Sequence, residues 1–193
     1  MKEIKPEELN ENPFKLIGKD WMLITAQKAD RTNMMTASWG GLGILWNKPV
    51  ATVYIRRSRF TKGFVDDGDT FSLCVMPEQY RKQLAYCGKA SGRDEDKVAA
   101  CGFKVAYAEF AAAGSNDACT NAVAANDVAT AAAPKVPYFE EARLVLICKK
   151  LYAQEMDAQC FTKEGSSIPS QFYSDNDWHT TYVAEIVKVL IKE

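Results

Sequence analysis

Seven residues, Ile55 to Thr61 (IRRSRFT), gather three guanidinium groups and two hydroxyls ahead of a predicted helix start. Guanidinium groups pair with phosphate oxygens in a fork, and hydroxyls with unpaired N–H groups at a helix N-terminus complete such a shell. The same residues also read as a solvated strand end with Thr61 as a helix cap. Upstream, NMMTASW (Asn33 to Trp39) places small side chains at Thr36, Ala37 and Ser38, where a flat ligand can approach the main chain and meet its amides. The alternative is an ordinary strand with a buried Trp39.

Two further segments carry candidate chemistry. In SGRDEDK (Ser91 to Lys97), Ser91 with Asp94 three residues on resembles the acidic relative of a capping box, while Gly92 beside Arg93 offers amides and a cation to a ligand. His179, the single histidine, precedes an apolar run as HTTYVAE, and an imidazole of ordinary pKa is a candidate proton donor near neutrality. It reads equally as a satisfied structural group. No Gly-x-Ser-x-Gly turn supports a Ser-His-Asp hydrolase, and neither a Walker loop nor Gly-x-Gly-x-x-Gly after a strand supports a nucleotide domain of those kinds.

The elements that must position these groups are mostly strands. Trp21 to Gln27, Val50 to Arg56, Thr70 to Met76, Arg143 to Tyr152 and Thr181 to Leu190 are apolar, β-branched runs bounded by turn residues. Asn33 to Leu45 carries three glycines, which predict a bulge or a close backbone approach. Helical turns are predicted from Thr61 to Asp67 with Gly68 closing, from Glu78 to Cys87 with Gly88 at the C-terminus, and from Ser91 to Gly102. Many strands with short helices at the connections fit a closed antiparallel barrel better than a doubly wound parallel sheet.

The 193 residues are enough for one well-buried core, so a single domain over 1–193 is expected, interrupted by an Ala-rich insert at about 110–133 that reads as a marginal helix or a flap. A formal net charge of -1 excludes a broad attraction to nucleic acid or an anionic membrane. MKEIKPEELNENPF lacks the apolar stretch of a signal peptide, and no apolar run is long enough to cross a bilayer, so a cytoplasmic protein is expected. Cys74, Cys87, Cys101, Cys119, Cys148 and Cys160 contain no Cys-x-x-Cys, which predicts free thiols and no structural metal.

Taken in order, NMMTASW, PVATVYIRRSRFT, FSLCVMP, SGRDEDK and HTTYVAEI resemble the flavin reductase-like, FMN-binding split-barrel family, and within it the flavoredoxin-like branch. The likeness runs from about Phe14 to Lys192 and is most specific through Gly102. It implies a mainly β fold, a Greek-key-like split β-barrel with short peripheral helices. It implies FMN as cofactor, with Thr36, Ala37, Ser38 and Trp39 along the flavin and the stretch Arg56 to Thr61 at the ribityl phosphate, Arg57, Ser58, Arg59, Phe60 and Thr61 being the binding residues. Ser91 and Gly92 would close over the cofactor, and His179 would stand near the nicotinamide or the flavin edge as the candidate catalytic residue. The implied activity is hydride transfer from NADH or NADPH, a transient co-substrate, through FMN to an acceptor that includes redox proteins. The same pocket in a non-enzymatic electron carrier, or with another ligand such as haem, is the alternative. Family members are usually homodimers. The insert at 110–133 departs from the family pattern.

Overall fold

The computed structural model describes residues 1–110 and 134–193. Ten strands dominate the described residues: β1 (Lys2–Ile4), β2 (Met22–Lys28), β3 (Arg31–Ala37), β4 (Gly40–Leu45), β5 (Lys48–Arg56), β6 (Thr70–Val75), β7 (Val105–Glu109), β8 (Lys135–Phe139), β9 (Leu144–Glu155) and β10 (His179–Ile191). Short helices occupy the connections: α1 (Pro13–Lys15), α2 (Lys62–Asp67), α3 (Arg81–Lys89), α4 (Lys97–Cys101) and α5 (Ile168–Phe172).

Every pairing is antiparallel, in the order β3-β2-β6-β9-β10-β5-β4, with β1 added along β10. The end strands β3 and β4 share no ladder among the described residues, so the barrel is split rather than closed. Their junction is only Ser38 and Trp39. Register shifts between Val183 and Ala184 and between Ile186 and Lys188 bend the long β9–β10 ribbon.

Alternation along the strands divides the apolar side chains between two cores. Met22, Ile24, Leu73, Leu144, Leu146 and Cys148 face the barrel interior, while Leu23, Cys74, Val145 and Ile147 face outward. The outward set is buried as well, because α3 and the β7–β8 hairpin cover it through Leu84, Cys87, Val136 and Phe139. Each large side chain buried this way contributes roughly 2 kcal/mol. The covering hairpin is tied down where Ser72 donates to the carbonyl of Pro137 at 2.6 Å.

Several elements differ in detail from the sequence expectations. Asn33 to Leu45 is two strands broken at Ser38 and Trp39, and at Gly40 a Cβ would lie 2.7 Å from the Thr52 carbonyl oxygen, the close approach its glycines predict. Gly88 lies inside α3 rather than after it. The helical turn expected from Ser91 covers only Lys97–Cys101, because Asp96 is the residue whose carboxylate accepts from Val98 and Ala99 N–H. Ser91 Oγ instead accepts from Arg93 N–H at 3.2 Å in a tight turn. Residues 111–133, where the insert and its helix-or-flap alternatives fall, lie outside the described residues; the flanking strands β7 and β8 pair from Val105↔Phe139 to Glu109↔Lys135.

Candidate functional site

The split between β3 and β4 is where the candidate residues meet. A cavity of about 160 Å³ is lined there by Thr36, Ser38, Trp39, Tyr54, Arg59 and His179. Ser38, Trp39, Tyr54 and His179 also line a larger cleft of about 480 Å³. On the other side Arg59 is shared with a basic cavity of about 580 Å³ that includes Arg31, Lys62 and Arg93. An apolar cleft therefore borders a small polar chamber, which borders a cationic one.

At the end of β3, Ala37 is buried, whereas Ser38 and Trp39 are exposed. Trp39 is 46% exposed, which excludes the buried-strand reading, and its ring centroid lies 5.3 Å from that of His179 and 5.6 Å from that of Phe172. Thr36 faces α3, its hydroxyl donating to the Leu84 carbonyl at 2.5 Å. The small residues thus leave main chain accessible at the mouth of the cleft.

Arg57, Arg59 and Phe60 of the basic stretch all line the cationic cavity, but the stretch divides its hydrogen bonds among different partners. Arg57 makes a two-pronged pair with Glu155 at the end of β9, and Ser58 donates through N–H (2.9 Å) and Oγ (2.6 Å) to Asp177. Arg59 turns the other way and donates to the Gly88 carbonyl at 2.8 Å. Phe60 lies between the guanidinium groups of Arg31 and Arg93, 5.1 and 5.3 Å from its centroid. Thr61 is 1% exposed; its hydroxyl accepts from Asn33 Nδ2 at 2.9 Å, and no helix N–H bonds to its side chain. The sequence groups these side chains by adjacency, but successive residues of a turn diverge, and acidic groups from β9 and the loop before β10 reach two of them.

Ser91 and Gly92 sit beside this stretch. Arg31 donates to the Gly92 carbonyl, and Arg93 to that of Ser58 at 2.9 Å. Gly92 is buried, and a Cβ there would fall 2.4 Å from Asn33 Oδ1 and 2.9 Å from Phe60 Cδ1. Close packing, rather than display of amides, accounts for this glycine.

His179 opens β10, is 6% exposed, and places Nδ1 2.8 Å from the Tyr173 hydroxyl. Burial, reinforced by the positive charge of Arg56 and opposed by Asp177, pushes its pKa down to about 4. The sequence expectation of an imidazole titrating near neutrality is therefore corrected: at pH 7 the ring is neutral, and it offers one donor and one acceptor. The Tyr173 hydroxyl also reaches Met156 Sδ at 3.4 Å, so its contact with Nδ1 serves either tautomer of the neutral ring. Burial pushes the Asp177 carboxyl up, but the bonds from Ser58 and the charge of Arg56 outweigh it and hold Asp177 below the usual carboxylate range.

Tyr54, Met156, Tyr173 and Asp177 join the site without having been expected from sequence, and Arg56, expected with the basic stretch, serves it through the loop before β10. Arg56 donates to the carbonyls of Asp177 and Phe172, both at 2.9 Å, and Tyr173 stacks on Trp178 at 4.3 Å between centroids, so the loop before β10 is pinned across the cleft. The aromatic and acidic residues immediately before His179 were the available signal. Met156 and Glu155 carried none, since only the β9–β10 ladder brings them near.

Residues 15–193 match a family model described as "Flavin reductase like domain". The chain belongs to this family. Flavoredoxin from Methanosarcina acetivorans is similar at 19% identity, with a TM-score of 0.63 over 98% of this chain and 77% of that one. An FMN-binding protein from Thermus thermophilus with bound p-hydroxybenzaldehyde gives 18% and 0.60 over 100% and 83%. Nitrilotriacetate monooxygenase component B from Bacillus cereus gives 15% and 0.60 over 100% and 82%. These likenesses show the fold, the mainly β split barrel with short peripheral helices. Among curated proteins none matches. Membership ties this flavin reductase-like chain to flavin-linked redox chemistry. Among its described residues no helix is long and apolar enough to cross a membrane, and no three His, Cys, Asp or Glu residues are grouped to hold a metal ion.

Proposed function

We propose that the chain, acting as one unit over residues 1–193, binds FMN across the β3–β4 split and passes reducing equivalents from NADH or NADPH through it to an acceptor. The observation that carries this reading is the single chamber in which the Thr36–Trp39 strand end, Arg59 and the neutral His179 meet. The FMN-binding and flavoredoxin structures among the similar folds support it.

The residues fit the group. Thr36, Ala37 and Ser38 are short side chains that let a flat ring approach the main chain, Trp39 adds an aromatic face beside it, and Arg59 bridges to the cationic cavity that suits a phosphate monoester. Arg57 would complete the phosphate shell, Thr61 and Ser58 would join it only by leaving Asn33 and Asp177, and Phe60, Ser91 and Gly92 would shape its wall. For Arg57 this requires release from Glu155, an ion pair with side chains 47% and 39% exposed. Such a solvent-exposed pair is weak, so a dianion can displace it.

When bound, FMN supplies a ring that accepts a hydride and returns electrons singly or in pairs. The protein's own part is to orient and to exclude water. Trp39, packed edge-on against Phe172, walls the chamber, and the neutral His179 acts as a hydrogen-bonding group at the ring edge, where it adds no competing cation. A homodimer belongs to the proposal, supported by the exposed Phe14, Ile44, Leu45 and Trp46 beside the apolar cleft. A cytoplasmic setting and a redox-protein acceptor complete it.

Fluorescence titration with FMN tests binding, and anaerobic mixing with NADH and with NADPH tests turnover. Bound flavin bleached by either nucleotide is the expected result. Bound flavin that keeps its colour with both identifies an electron carrier without a nicotinamide site, and absence of FMN binding overturns the proposal.

A further inference from the structure

Cys87 on α3 and Cys101 at the end of α4 bring their Sγ atoms to 3.4 Å, beneath the wall of the candidate site. Cys87 is fully buried, whereas Cys101 is partly open to solvent. One helical turn before Cys101, the Lys97 side chain is buried and donates to the Met34 carbonyl and, at 3.4 Å, to that of Cys87. Burial pushes the Lys97 pKa down, and as an ammonium bonded only to neutral carbonyls it favours an anion at the neighbouring sulfurs, which in turn hold its charge.

We propose that Cys87 and Cys101 are a redox pair that a hydroperoxide converts to a disulfide, and that the bond weakens the hold of α3 on the flavin site. The effect on flavin rests on the proposed function; the disulfide does not. Cys101 is the attacking sulfur, being accessible and held below the usual thiol range by the Cys87 S–H and the Lys97 charge. Its thiolate attacks one peroxide oxygen; an S–O bond forms, the O–O bond breaks, and the alcohol or water leaves with a proton. The Cys87 sulfur then attacks the Cys101 sulfenic acid; the S–S bond forms, the S–O bond breaks, and water leaves with the Cys87 proton. Two thiols lose two electrons, and the peroxide gains both.

A disulfide spans about 2.05 Å between sulfurs, so the two Sγ atoms must close by more than about 1 Å, and whatever side-chain rotation does not supply falls on the packing of α3 and α4. The helix that moves carries both acceptors of the site wall: the Leu84 carbonyl for Thr36 and the Gly88 carbonyl, adjacent to Cys87, for Arg59.

The test uses the whole chain, treated with a small excess of hydrogen peroxide, then denatured, alkylated and mapped by mass spectrometry. The expected product is a Cys87–Cys101 linked peptide pair, about 2 Da lighter than the two thiol peptides, released by dithiothreitol and absent from Cys101→Ser, in which Cys87 stays alkylatable. Oxidation confined to the exposed Cys160, or a bridge to Cys119, which lies outside the described residues, overturns the inference. FMN titration is the second arm. Binding about tenfold weaker in the oxidised protein, the scale of one charged hydrogen bond, supports the coupling, and equal affinity overturns it. If the reduced protein binds no FMN, the proposed function fails while the mapped disulfide still decides the redox pair.

Discussion

His179 stands opposite Arg56 in the β5–β10 ladder, so that the cation anchoring the loop before β10 also lies beside the imidazole. After burial, the charge of Arg56 is the largest influence keeping that ring neutral. One arginine therefore sets both the position of Tyr173, whose hydroxyl meets Nδ1, and the electrostatics of the candidate catalytic residue. Any role for His179 in the chamber is that of a neutral ring.

This arrangement makes acid stability a direct readout. Folded, His179 takes up a proton only near pH 4, whereas the unfolded chain does so near its ordinary value of 6.5. Between these the unfolded state binds more protons, so stability rises with pH and is lost as pH falls from about 6.5 toward 4. A shift of this size at a buried site is worth up to roughly 3 kcal/mol. His179→Gln flattens that limb in urea unfolding followed from pH 7 to 4. The lowered carboxyls Asp66, Asp177 and Glu155 begin to lose their contributions near pH 5, at the acid edge of this window, and do so in the variant as well, so the comparison is read between about pH 6.5 and 5. A limb just as steep in the variant shows that other groups carry the acid loss.

Arg57 and Arg59 are near neighbours in sequence and are expected to be unequal in binding. Both line the cationic cavity, but of the two only Arg59 also borders the polar chamber, and it is bonded to a neutral carbonyl, whereas Arg57 is paired with Glu155. Arg59→Ala weakens FMN binding by about tenfold or more, the loss of a charge-assisted bond of about 1.5–3 kcal/mol, and Arg57→Ala by less than about threefold. Fluorescence titration of both variants decides it. Equal losses restore the undivided cluster suggested by the sequence.

The barrel strands were legible because Val50–Arg56, Leu144–Cys148 and Thr181–Leu190 are β-branched, apolar runs with clear turn residues at their ends. The covering hairpin was not. Val105–Glu109 and Lys135–Phe139 are short, and their pairing spans the insert, so no local pattern announces it. Within the site, NMMTASW and His179 were identifiable by residue type. The separation of Arg57 and Ser58 from Arg59 was not, since it depends on Glu155 and Asp177, which arrive from distant strands. Nor does sequence reveal that His179 is buried beside Arg56, the fact that shifts its titration away from neutrality.

Gly88 gives a prediction of opposite sign from most substitutions. It lies within α3, and a Cβ there would meet Thr36 Cβ at 3.5 Å, an ordinary contact. Alanine in a helix loses less backbone entropy than glycine, by about 0.5–1 kcal/mol. Gly88→Ala raises the stability by about 0.5 kcal/mol, the lower end because the position is one residue from the helix end. Thermal unfolding checks it, and a fall in Tm shows that α3 has no room against β3.

Gly92 behaves in the reverse sense, and the same substitution there separates packing from backbone effects. An added Cβ at 2.4 Å from Asn33 Oδ1 and 2.9 Å from Phe60 Cδ1 meets two side chains that are already committed. Asn33 is bonded to the buried Thr61 hydroxyl, and Phe60 is held between Arg31 and Arg93. Relief requires one of these contacts to open, at a cost of about 1–3 kcal/mol, typical of overpacking. Gly92→Ala therefore lowers the unfolding midpoint in urea, and Gly92→Ala combined with Asn33→Ala recovers part of that loss by removing the nearest atom. A double variant whose destabilisation equals the sum of the two single ones shows that the clash with Asn33 is not what makes glycine necessary.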